Sequence, residues 1–385
     1  LIGCPIHAKQ NPRKVAIPKA LSAGARIFTR ARAVKISKFT EELKEVTVRT
    51  LDAGGYREQG EVSVRAKIVI VAANAIASAQ LLLRSGIGNE HVGKNLILQP
   101  QLPIIGVFKE RIAAFDGIPQ AYAVTEYEEE AHAQFGLWGY RIEAIMGTPG
   151  IVSSLLPLSG ASGMESMALY DRMAASLLLA PDRPSGQVEV ARDGRLTIRY
   201  QQRPDHQQRL RDAAESAAKV YLEAGATEVL VPTVPPVSIR SARDAKKAQE
   251  ISFAPATAPM ISAHQQGTVR FAASARDGGA NLDGEVYGTK DVYVFDSSGY
   301  PTTASSHTMA PIISSSRMLT TSVVAAMNQE RIRRPAKCRA VAFAIACGLL
   351  ACVVAMPLPL SADVVTFAVI GDDGSGSEYQ TRVAE

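Results

Sequence analysis

Apolar residues recur along this chain at two intervals, and glycines mark where one interval gives way to the other. Residues 14–23 carry the spacing of a short helix, Gly24 breaks it, and residues 25–36 then alternate as a strand. The strand period continues through Val46, Val48 and Thr50, crosses a turn at Asp52, Gly54 and Gly55, and resumes over residues 60–64, which predicts a β-meander. Residues 68–72, Ile-Val-Ile-Val-Ala, are apolar at every position, the pattern of a parallel strand buried on both faces. Helical spacing follows over residues 75–84 until Ser85 and Gly86 end it. The first hundred residues thus read as a meander followed by strand, tight turn and helix.

The pattern loosens over residues 101–255. Gly147, Pro149, Gly150, Gly160 and Gly163 crowd a loop-rich passage, after which Val188 and Val190 face Leu196 and Ile198 across a turn at Asp193 and Gly194. Asp205 opens a helix with Leu210, Ala213, Ala214, Ala217, Val220 and Tyr221 on related faces, and Gly225 ends it. A last strand is expected over residues 292–295. The expected fold class is α/β plus α+β. A partial doubly wound domain takes residues 1–100 and 256–328, and a second, mixed-sheet domain takes residues 101–255.

Hydrophobic residues make up 46% of the chain and charged residues 21%, a balance that supplies two cores and argues against disorder. The formal charge of +5 is not gathered into a stripe within the first 330 residues, so nucleic acid is not an expected partner. One basic cluster, Arg331, Arg333, Arg334, Lys337 and Arg339, precedes an uncharged run from Ala340 to Ala362. Its uninterrupted apolar part, residues 340–356, is closed by Pro357. Residues 329–362 read as a signal-like or membrane-anchor segment, with a buried terminal helix as the alternative. The body is then expected in the cytoplasm or at a membrane, with membrane contact through 340–356 and the final segment exported. Cys4, Cys338, Cys347 and Cys352 have neither metal-ligand nor disulfide spacing.

Chemistry gathers late in the body, in His264-Gln265-Gln266-Gly267-Thr268, then Val294-Phe295-Asp296-Ser297-Ser298, then His307. Removing hydride from an alcohol carbon requires a group that takes the hydroxyl proton near neutral pH and another that holds the oxygen, and histidine suits both tasks. The residues themselves do not divide these two roles between His264 and His307. His7, His91, His132 and His206 have no comparable setting and read as structural or solvated.

Four segments in order resemble the glucose-methanol-choline (GMC) oxidoreductases, and together they cover residues 1 to about 328. The first is Gly3-Cys4-Pro5 with Ala8-Lys9-Gln10, Pro18-Lys19-Ala20 and Gly24-Ala25-Arg26-Ile27. The second runs from Val71 through Gly88 into Val92-Gly93-Lys94-Asn95-Leu96, and the histidine segments are the third and fourth. The chain departs from the family's pattern at Asn74, where Gly or Ser is usual, at Ala79, where Pro or Ser is usual, and at Gln99-Pro100, where His-Pro is usual.

The resemblance implies a partial Rossmann-like FAD-binding domain, FAD as cofactor and a small-molecule alcohol as substrate, with long-chain alcohols or sterols in the branches most resembled. It leaves the electron acceptor open. By position it implies His264 as proton acceptor and His307 as the partner that holds the substrate oxygen. Cofactor contacts would come from Val34 toward the adenine, from Ala73, Asn74 and Ala75 in the turn after the parallel strand, and from Gly267 and Thr268. Asp296 would lie at the ribityl chain, with a turn-capping role as the alternative.

The Gly-x-Gly-x-x-Gly loop that cradles a dinucleotide pyrophosphate is not found in these residues, and Gly374-Ser375-Gly376 lacks the third glycine. The expectation is a truncated oxidoreductase, inactive by itself, joined to the start of another protein. A non-catalytic remnant or a subunit completed by a partner is the alternative. Residues 363–385, with Gly371-Asp372 after an apolar strand, weakly resemble the opening of a metallophosphoesterase in which Asp372 would be a metal ligand. The third reading is therefore a fused precursor of a membrane-associated or secreted metallophosphoesterase, and an ordinary strand and turn is its plain counterpart.

Overall fold

The computed structural model describes residues 8, 10–38, 40, 42–116, 118, 120–130, 137–304, 307–333 and 343–347. Two short helices, α1 (Pro12–Val15) and α2 (Ile17–Ser22), stand where one was expected. Pro18 explains the break, since it has no N–H to bond the preceding turn and its ring would clash with that turn's carbonyl. Strands β1 (Ala31–Lys38), β2 (Lys44–Leu51) and β3 (Glu58–Ala66) form the antiparallel meander, with a bulge in β1 at Val34. β4 (Ile68–Ala72) is buried at all five positions and leads into α3 (Asn74–Ser85), which ends on Gly86 in the left-handed conformation. The short β5 (Lys94–Leu96) follows.

The second body is an antiparallel sheet. Its elements are β6 (Leu102–Phe108), β7 (Ala123–Val124), β8 (Glu128–Glu130), β9 (Leu137–Gly139), β10 (Arg141–Ile145), α4 (Pro149–Leu155), α5 (Gly160–Met167) and β11 (Met173–Leu179). They are followed by β12 (Gly186–Val190), β13 (Leu196–Arg199), α6 (Pro204–Glu223), β14 (Ala226–Val231) and β15 (Val237–Ile239). Six of these strands pair in the order β15-β14-β6-β11-β10-β7. The alanine-rich face of α6 packs on one side of this sheet with Leu102, Ile104, Leu178 and Leu210. Val152 of α4 and Leu156 just after it cover Ile105, Val107 and Met173 on the other side. Gly106 of β6 lies under the Tyr221 ring, and a Cβ there would stand 2.4 Å from it, so α6 approaches the sheet closely only over glycine.

Two further features depart from the sequence reading. The hairpin β12–β13 pairs with β5, and Val188 joins the core of β1, β2, β4 and α3 rather than that of the six-stranded sheet. The chain therefore crosses back to the first body within the stretch read as the second domain. The other departure concerns the tail. After β16 (Val292–Val294) and α7 (Met309–Arg333), the backbone of β17 (Phe343–Cys347), inside the run read as signal-like or anchor, lies parallel to β4 on the edge opposite β16. A short apolar run has no periodicity to separate strand from helix, and a wholly buried strand such as β4 needs hydrogen-bonding partners along both edges. Among the described residues no helix is long and apolar enough to cross a membrane. Most of 329–362 and all of 363–385, with Asp372, lie outside the described residues.

Candidate active site

The site begins where two segments cross between the bodies. Ile97 and Gln266 exchange two backbone hydrogen bonds of 2.9 Å, and Gln101 and Ile261 exchange bonds of 2.8 and 3.0 Å. This antiparallel register sets His264 opposite Gln99. Gln99 is left-handed at φ 46°, and its side chain turns to the imidazole. Its Oε1 lies 2.5 Å from His264 Nδ1, while its Nε2 donates to the carbonyl of Ala304 at 3.2 Å. Because the amide nitrogen is committed to a carbonyl, the oxygen faces the ring. His264 therefore carries its proton on Nδ1 and donates it to Gln99, which leaves Nε2 as a free acceptor. Gln101 Nε2 makes only a longer approach to Nδ1, at 3.3 Å. Burial, reinforced by the adjacent His307, pushes the His264 pKa down to about 4, so the ring is neutral at physiological pH.

His307 lies just ahead of α7, and its ring centroid is 5.3 Å from that of His264, edge to face. Its Nε2–H donates to Glu143 Oε2 at 2.7 Å. Glu143 sits in β10 with only 4% of its surface exposed, so the pair joins the antiparallel sheet to the histidine segments of the first body. Gln266 ties those segments together: its Oε1 accepts from Ala304 N at 2.8 Å and its Nε2 donates to the carbonyl of His264 at 3.0 Å. With Nε2–H given to Glu143, His307 can donate a second hydrogen bond only from Nδ1, as the imidazolium. A buried carboxylate beside it offsets that charge.

The remaining predicted residues gather around the start of α3, except Val34. Asn74, at φ 73°, accepts from the N–H groups of Ile76 and Ala77 at 2.9 and 3.1 Å and so caps the helix. Ala73 N donates to Ser78 Oγ at 2.9 Å, and Thr268 Oγ1 donates to the carbonyl of Ala75. Gly267 is required by a passing chain, since a Cβ there would lie 2.3 Å from the Asn95 carbonyl oxygen. Asp296 is buried and caps the turn after β16: it accepts from Ser298 N at 2.8 Å and from Ser78 Oγ at 2.5 Å. Burial holds its carboxyl above the usual carboxylate range. Val34 stands at the bulge of β1, without a partner in the β2 register. His206 is buried, donating to Ala180 O and accepting from Gln202, and His91 bonds the carbonyl of Arg276. His7 and His132 lie outside the described residues.

Residues 1–101 and 182–315 match the N- and C-terminal parts of the GMC oxidoreductase family. The chain belongs to the GMC oxidoreductase family. A GMC-type oxidoreductase of Mycobacterium tuberculosis (strain ATCC 25618 / H37Rv) is 31% identical over 304 residues, covering 78% of this chain and 46% of the relative. A long-chain-alcohol oxidase of Arabidopsis thaliana is 24% identical over 355 residues, covering 84% of this chain and 46% of the relative. The chain thus spans about half the length of the curated relatives it matches. Among solved structures, formate oxidase from Aspergillus oryzae RIB40 superposes with a TM-score of 0.55 at 14% identity over 78% of this chain and 60% of that one. Pyridoxine 4-oxidase from Mesorbium loti gives 0.52 at 15% identity, over 76% and 57%. These likenesses establish the fold.

FAD is the cofactor of the GMC oxidoreductases. One observation bears directly on its fit here: the hydroxyl of Ser298, in the turn that Asp296 caps and against α3, is fully buried and has no hydrogen-bond partner among the described residues. A buried, unpaired hydroxyl suits a polar ligand group at that place. The residues fit the flavin-facing side of the cofactor. Gln99, Gln101, Gln266 and Glu143 complete the site, and sequence reasoning gave them no roles. For Gln99 a signal existed in the departure from His-Pro; Glu143 carried none.

Proposed function

We propose that these residues form the proton-handling side of an FAD-dependent oxidoreductase acting on a CH–OH group. The observation that carries this reading is the meeting of two unlike histidines, one neutral with its proton on Nδ1 and the other paired with a buried carboxylate. His264 Nε2 accepts the hydroxyl proton of the substrate. His307, held by Glu143, donates from Nδ1 to the substrate oxygen as negative charge develops there. When bound, FAD would supply the hydride acceptor. Ala73, Asn74, Ala75, Gly267, Thr268, Asp296 and Ser298 would border it near the start of α3, and Val34 would lie toward its adenine. The Arabidopsis relative supports a long-chain alcohol as substrate, and the branch resemblance supports a long-chain alcohol or sterol.

In the FAD-loaded protein, His264→Ala is expected to slow flavin reduction by a factor on the order of 10² to 10⁴, the usual loss for a general base. Stopped-flow absorbance with a long-chain alcohol measures this. Reduction rates near those of the parent, in both His264→Ala and His307→Ala, would mean that the site lies elsewhere.

A further inference from the structure

The orientation of His264 depends on Gln99, and Gln99 adopts a backbone conformation that a residue with a side chain rarely takes. A left-handed non-glycine residue is strained and persists only where its surroundings fix it. What surrounds it is Asp182, between β11 and β12. One carboxylate oxygen, Oδ1, accepts from Gln99 N at 2.9 Å, and the other, Oδ2, accepts from Leu98 N at 3.1 Å and from the Tyr200 hydroxyl at 2.8 Å. Two successive backbone N–H groups thus turn toward one carboxylate. Asp182 is 4% exposed, and all three of its donors require an acceptor. An amide in its place would set an NH₂ group against a donor.

Resting on the reading of His264 as proton acceptor, we propose that Asp182 is its positioning residue. By holding the N–H groups of Leu98 and Gln99 it fixes the turn that aims the Gln99 amide oxygen at His264 Nδ1, and so keeps Nε2 free of a proton. The link runs from Asp182 through the backbone of 98–99 and the side chain of Gln99 to the ring.

Long-range ¹H–¹⁵N NMR of the ¹⁵N-labelled full chain reads the tautomer directly, with His264 assigned from the signals lost in His264→Gln. The parent is expected to show the Nδ1–H form. In Asp182→Asn that form should fall from dominant to a minority. His206, which bonds Ala180 two residues from Asp182, should keep its Nε2–H and report an intact fold. A folded Asp182→Asn with His264 unchanged overturns the proposal and leaves His264 as acceptor untouched. A parent with its proton on Nε2 of His264 overturns both.

Should the variant not fold, the parent supplies the test. Burial, against the lowering effect of its three donors, pushes Asp182 up to about 6, well apart from His264 at about 4. Tyr200 bonds Asp182 and Arg209 of α6 acts on it, and Arg209 is in turn influenced by Asp205 and Arg183. On lowering the pH, the amide signals of Leu98 and Gln99 and the Nδ1 signal of His264 should step together with the Asp182 midpoint. A step in the amides with none at His264 would refute the link.

Discussion

Glu143 depends for its chemistry on a residue 164 positions away. A carboxylate this deeply buried is costly unless it is paired, and the His307 N–H is its partner. Glu143→Gln keeps the shape and an acceptor for that N–H but removes the charge. Losing a charge-assisted hydrogen bond of about 1.5–3 kcal/mol corresponds to roughly 10- to 100-fold in rate. Flavin reduction measured by stopped flow should slow by that factor while substrate affinity stays close to the parent's. An unchanged rate would remove the His307–Glu143 pair from the proposed chemistry. Both histidines stood out as candidates from their motifs, because each sits in a run of small and polar residues with no core periodicity. Glu143 was not, because Arg-Ile-Glu-Ala-Ile alternates like any half-buried strand and its partner comes from a distant segment.

At the scale of elements, α6 shows which features local pattern secures. Of the residues expected on related faces, Leu210, Ala213, Ala214 and Ala217 are buried, joined by Ala218, whereas Val220 lies exposed. Leu210 is fully buried in the largest part of that core, so Leu210→Ala should cost about 2–5 kcal/mol through lost contacts and the cavity left behind. Urea unfolding followed by circular dichroism tests this, and a midpoint equal to the parent's would show that α6 contributes little to the fold. His206, on the polar first turn of the same helix, is buried because that turn docks on the end of β11, where Ala180 offers a carbonyl. A helix wheel cannot show that. The apolar run around 343–347 is the sharper case, since its pairing is supplied by the open edge of β4 rather than by anything in its own composition.

The whole molecule carries buried ionisable groups whose effects on stability oppose one another. His264 and His206 both stand at about 4, each lowered first by burial, against 6.5 for the free group. Between these values the unfolded chain binds protons that the folded one does not, so stability falls as pH drops from about 6.5 to 4, by roughly 3 kcal/mol per histidine at most. Asp182 acts in the other direction: raised to about 6 from 3.8, it takes its proton in the folded state first and returns up to about 3 kcal/mol over nearly the same range. The net expectation is a loss of roughly 4 kcal/mol or less between neutral pH and pH 4. Urea midpoints at the two pH values measure it, and the loss should shrink by about half or more in His206→Gln; an equal or higher midpoint at pH 4 would contradict the burial of these rings.

The sequence by itself determined the family, the meander, the strand-turn-helix of β4 and α3 and the helix α6, and it marked the two histidines as candidates, because each is written in local spacing or in a short motif. Only the tertiary structure decided that β12 and β13 return to the first core, that residues 343–347 pair with β4, and that Gln99, Asp182 and Glu143 orient the histidines. The physical reason is the same in each instance. A buried polar group or an open strand edge must find a hydrogen-bonding partner, and that partner is fixed by which segments fold side by side, not by their distance along the chain.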